Sequence, residues 1–173
     1  DSEKIDPGVE FYDDILDLYT EMTGIEIINV SYNASLANND RAIAYWNRMN
    51  CKGHKKYFGS GGSDGHVLDD LSLTYDGFLM DELTTESFVD AHRNGRFFVT
   101  TGPEMRFTLG GKTFGQTLLA DSGLSRLSVE AYTGTGYLTE VTLYDYPIDP
   151  TNPEGAYDRV TQTALYQYEQ GGE

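Results

Sequence analysis

The chain has 173 residues, 39% of them apolar, which is enough for one sizeable core, or one modest domain with an appendage, and too few for two large domains. Its formal net charge of -16 argues against nucleic acid as a partner, because a phosphate backbone is bound by clustered Lys and Arg. A single cysteine, Cys51, excludes an internal disulfide, and no run of about 18 apolar residues is present to span a membrane.

In chain order, Phe11, Ile15, Leu18, Tyr19 and Met22 recur at helical spacing among acidic residues, and Gly24 ends the pattern, which predicts an amphipathic helix. Ile25–Val30 is a short β-branched run, expected as a buried strand. A second helix is predicted around Ala42, Tyr45, Trp46 and Met49, closing near Gly53, with Cys51 in a structural role. Lys56–Gly59 reads as another short strand and Thr74–Met80 as an extended segment. Thr84 is a candidate N-cap for a helix carrying Phe88, Ala91 and His92, which Gly95 ends in a left-handed C′ position. Arg96–Thr100 reads as a strand and Thr101-Gly102-Pro103 as a turn that breaks the α/β rhythm.

A boundary is therefore expected there, dividing residues 1–101, an α/β unit, from residues 102–173, a β-rich module. In the second part Met105, Phe107 and Leu109, then Leu127, Val129 and Ala131, then Leu138, Val141 and Leu143 alternate with glycine-bearing turns between them, the pattern of antiparallel strands. Pro147–Gly155 is expected as a surface loop and Val160–Tyr168 as a last strand.

The segment Gly59-Ser60-Gly61-Gly62-Ser63-Asp64-Gly65-His66 carries the most chemical information, because loops at the carboxyl ends of strands in an α/β sheet are where ligands collect. If Asp64–His66 is extended, the two side chains share a face and a carboxylate oxygen and an imidazole nitrogen can converge on one cation. Those donors suit Zn²⁺, Mn²⁺ or Fe²⁺. A glycine-rich turn with a polar pair is the competing reading of the same spacing. His54, beside Gly53, Lys55 and Lys56, reads as a solvated loop residue, and His92 as a packed or exposed helix residue. Glu26 lies in an apolar run that leaves its facing undecided. Arg96 and Arg106 offer guanidinium forks that can bind a substrate phosphate, or can serve as ion-pairing arginines.

The order Gly24–Asn29, Trp46, Gly61-Gly62-Ser63-Asp64-Gly65-His66, Thr84–Ala91 and Gly95–Pro103 resembles phosphoesterases of the PHP (polymerase and histidinol phosphatase) superfamily, especially the carbaryl-hydrolase-like branch. The resemblance implies the C-terminal part of a distorted β/α barrel followed by a small antiparallel β module. It also implies hydrolysis of a small phosphorylated or ester substrate by metal-activated water, with Asp64 and His66 as the last metal ligands. The family's earlier ligands, a His-x-His pair, a glutamate and further histidines, are expected upstream of Asp1, so the ligand set for Mn, Zn or Fe is incomplete in this chain. Association with that missing part or with a second copy follows as an expectation. The alternative is a non-catalytic binding module built on a tyrosine-rich β domain. The compartment stays open between extracellular or periplasmic and cytoplasmic.

Overall fold

The structure, a computed structural model, describes residues 8–30, 36–119 and 125–133. Its elements run α1 (Gly8–Leu18), β1 (Gly24–Asn29), α2 (Leu36–Lys52), β2 (Phe58–Gly62), a 3-10 turn (Leu68–Ser72), β3 (Tyr75–Phe78), α3 (Thr85–Arg93), β4 (Phe97–Thr100), β5 (Glu104–Leu109) and β6 (Leu127–Tyr132). Helices and strands are mixed as expected. Among the described residues the strands form two-stranded sheets, parallel β1–β2, antiparallel β3–β4 and antiparallel β5–β6, and no closed barrel. No described helix is long and apolar enough to cross a membrane.

The first layer is built by α1 and α2 on the parallel pair. Leu16, Met49 and Tyr57 are buried together, with Ile25, Tyr45 and Trp46 packed around them. Burying an aliphatic side chain such as Leu16 or Met49 is worth about 1.5–3 kcal/mol relative to leaving it in water. The apolar stripe expected on α1 is displaced: Leu18, Tyr19 and Met22 are exposed, and Leu16 is the residue that enters the core. The helix ends at Leu18, and Lys55 reaches across to that end, where its ammonium donates to the carbonyls of Leu16 (3.2 Å), Tyr19 (3.2 Å) and Thr20 (3.4 Å). A cation there satisfies orphaned carbonyls and complements the helix dipole.

Polar contacts fix how α2 lies on its neighbours. Tyr45, Arg48 and Lys52 share one face of α2 through their three- and four-residue spacing. All three converge on Asp13 of α1: the Tyr45 hydroxyl donates at 2.9 Å, Arg48 Nη2 at 2.8 Å, and Lys52 Nζ closes the group. Farther along α2, Asn50 pairs with the Tyr57 backbone as a peptide would, accepting from its N–H at 3.0 Å and donating to its carbonyl at 3.1 Å. Trp46 Nε1 donates to the same carbonyl at 2.7 Å. These bonds set the entry into β2. Cys51 is buried, in keeping with a structural role.

The β3–β4 pair meets with Tyr75 opposite Thr100 and Phe78 opposite Phe97. Helix α3 joins the two and lays His92 against them, its ring 5.4 Å from that of Phe97 and 15° from parallel, with Phe78 and Phe88 completing the cluster. Thr84 is the N-cap as expected, its side chain accepting from the Ser87 amide at 3.2 Å. Gly95 ends α3 at φ +65, and the N–H groups of Gly95 and Arg96 return to the carbonyls of His92 (3.2 Å) and Ala91 (2.9 Å).

After the turn at Thr101–Pro103, β5 alternates as predicted, with Met105, Phe107 and Leu109 turned inward. Between β5 and β6, Phe114 stands against Phe98 of β4 (5.6 Å) and Phe107 of β5 (5.5 Å), an aromatic link across the expected boundary. The third alternating run at 138–143, the loop at 147–155 and the strand expected at 160–168 lie outside the described residues.

Candidate functional site

Residues 58–62 are strand, so β2 runs through the glycines that composition marks as a loop, and the turn begins at Ser63. Asp64 takes a left-handed conformation, φ 46, a region that aspartate and asparagine enter more readily than other non-glycine residues. That turn, and not an extended backbone, brings the two expected ligands together: His66 Nε2 is 3.5 Å from Asp64 Oδ1. Both side chains are open to solvent, 81% and 59% exposed.

Around this turn the carboxyl ends of β1 and β2 gather polar groups. Asn29 Nδ2 donates to Glu26 Oε1 at 2.8 Å, and the Asn29 amide donates to Asn39 Oδ1 of α2 at 2.9 Å. Glu26 leans over Gly62, where an added methyl would stand 3.4 Å from its Oε2. From β3, Asp76 Oδ1 accepts the Gly61 amide at 2.9 Å. Burial pushes the Asp76 carboxyl above the usual carboxylate range, the Gly61 bond and His92 pull it back, and Glu26 adds to the rise. Asp76 escapes a reading of the sequence by motif. Its signal is a lone acid, followed by Gly77, inside an otherwise uncharged extended run.

The remaining candidates have other engagements. Arg96 is ion-paired with Asp90, which also accepts from Asn94 Nδ2 at 2.8 Å. Arg106 lies opposite Glu130 in the β5–β6 register, with its guanidinium over the Tyr132 ring at 5.5 Å. His54 is exposed, as a solvated loop residue would be, and His92 is packed in the aromatic cluster. Thus Asp64 and His66 meet, while the interactions of Arg96 and Arg106 lie within α3–β4 and β5–β6.

Asp64 and His66 supply a carboxylate oxygen and an imidazole nitrogen side by side, the donors that zinc, manganese and ferrous iron accept. Among the described residues no group of three or more His, Cys, Asp or Glu is arranged to hold a metal ion. Comparison with protein-family models, with curated proteins and with solved structures found no match.

Proposed function

We propose that this chain contributes part of a divalent-metal site to a metal-dependent phosphoesterase of the PHP type, its α/β layer belonging to that family's distorted barrel. The observation that carries the reading is the convergence of Asp64 Oδ1 and His66 Nε2, 3.5 Å apart, on an exposed turn at the carboxyl end of a parallel strand pair. Asp64 and His66 act as ligands, and Glu26, steadied by Asn29, faces the same end of the sheet. A divalent ion bound there lowers the pKa of water and offsets negative charge on phosphoryl oxygens. A tetrahedral zinc site takes about four ligands, so further donors complete this one from outside the described residues or from another chain.

Titration of the full chain with Zn²⁺ and Mn²⁺ tests the reading, followed by hydrolysis of aryl phosphate and aryl carboxylate esters with and without chelator. Binding that His66→Ala and Asp64→Ala each abolish supports it, and cleavage of the phosphate over the carboxylate ester assigns the substrate class. A folded chain that binds neither ion refutes it. Saturable ligand binding that survives chelation would instead support a non-catalytic module.

A further inference from the structure

Strand β2 has a backbone ladder along one edge, to β1. Along the other lie β3 and β4, packed against it without joining its sheet. Near the end of β2 this gap is bridged by the bond from the Gly61 amide to Asp76 Oδ1. It falls where the β1–β2 ladder loses its register: Ser60 faces Glu26, Gly61 faces Ile28, and Ile27 is passed over. The bulge lies in β1, where Ile27 is left without a register partner, and it disrupts the ladder beside Gly61, so the bond to Asp76 is a second hold on that residue from the opposite side. The fit on the β3–β4 side is close, since a methyl at residue 61 would stand 2.5 Å from Val99 Cγ1 and 2.9 Å from Thr74 Cγ2. Gly62 then ends the strand, and Asp64 follows in its left-handed turn.

We propose that Asp76 is the positioning residue of the Asp64–His66 turn, acting across the gap between sheets through the Gly61 amide. The proposal rests on the reading of that turn as a metal site. The titratable groups facing Asp76 are Glu26 from β1, which opposes its ionised form, and His92 from α3, which favours it. An ionised carboxylate accepts an N–H bond more strongly than a neutral acid does. The turn is therefore held most tightly at pH values where Asp76 carries its charge, and it loosens as that charge is lost. Asp76→Asn keeps an oxygen for Gly61 and removes the titration; Asp76→Ala removes the acceptor.

The experiment follows the backbone amides of Gly61, Asp64, Gly65 and His66 by ¹H–¹⁵N NMR of the metal-free full chain across pH. Zn²⁺ titrations of wild type, Asp76→Asn and Asp76→Ala accompany it. In the wild type, all of these amides are expected to share one titration step at the midpoint of Asp76, and Asp76→Asn deletes that step. Asp76→Ala shifts the turn amides at neutral pH and weakens Zn²⁺ binding about tenfold or more, as loss of a group that orients a ligand does. The proposal is overturned if Gly61 titrates while residues 64–66 do not follow, or if a folded Asp76→Ala protein leaves them where the wild type has them. Should that variant not fold, the wild-type titration and Asp76→Asn decide the matter. A wild type that binds no Zn²⁺ would sink the metal reading alone, because the amide measurement needs no metal.

Discussion

Replacing Gly95 by alanine tests how α3 is joined to the parallel layer. At φ +65 an L-residue is strained, at about 1–2 kcal/mol for the left-handed region. The new methyl would also stand 2.1 Å from Phe58 Cδ1 and 2.3 Å from Cε1, well inside van der Waals contact, so the ring or the helix end must move. Overpacking of this kind costs about 1–3 kcal/mol. Alanine recovers about 0.4–1 kcal/mol by restricting the unfolded chain. The expected net loss is about 1–5 kcal/mol, set against the roughly 5–15 kcal/mol that holds a domain folded. Urea denaturation followed by the fluorescence of Trp46, the only tryptophan, measures it. A double-mutant cycle with Phe58→Ala separates the two terms: without the ring, Gly95→Ala retains only the backbone cost. A loss below about 0.5 kcal/mol, within the range of ordinary surface substitutions, or a cycle without coupling, would refute the packing described for Gly95 and Phe58.

Asp76 imposes a pH dependence whose sign is fixed by its raised carboxyl. Below the ordinary carboxylate pKa both folded and unfolded chains are protonated there; as pH rises, the unfolded chain releases its proton first, so stability falls until the folded carboxyl has also ionised. Asp76→Asn lacks this step, and its stability relative to wild type rises from about pH 4 upward and levels once the folded carboxyl has ionised; urea midpoints against pH read it. Asp13→Ala removes the acceptor shared by Tyr45, Arg48 and Lys52 and leaves two cations on one face of α2, for an expected loss of about 1–3 kcal/mol by the same denaturation assay. Tyr57→Phe should be neutral or stabilising by about 1 kcal/mol, against the usual direction, because the buried Tyr57 hydroxyl has no hydrogen-bond partner among the described residues. A clear loss in thermal midpoint for that variant would show that the hydroxyl is bonded.

Local signals were legible in the sequence where a single residue type performs a single physical task. Thr84 caps α3, Gly95 ends it, and the alternation of Met105, Phe107 and Leu109 marks the inner face of β5. Signals set by packing were not. The apolar stripe of α1 places Leu18 inward by periodicity, but the contact with α2 selects Leu16. The strand expected to end at Gly59 runs on through Gly61 and Gly62, which glycine propensity argues against, because β2 needs bare backbone at Gly59 and Gly61 where it meets Ile27 and Val99. The strand–helix–strand order of β3, α3 and β4 suggests a continuing α/β layer, while the two strands pair antiparallel. The Asp64 and His66 pair was visible as a motif, but not the left-handed turn that joins it, nor the cross-sheet bond that the Gly61 amide donates to Asp76.

Phe98 carries a consequence for cooperativity. One side of its ring covers Gly77 of β3, where an added methyl would lie 2.4 Å from Cζ, and Phe114 packs against it as well. The strand that carries Asp76 is therefore braced, through one aromatic ring, by chain lying beyond the Thr101 turn. Cutting the protein at that turn would expose part of this ring and is expected to loosen β3 beneath it, so the firmness of the strand that holds Asp76 rests in part on packing supplied from outside its own strand pair.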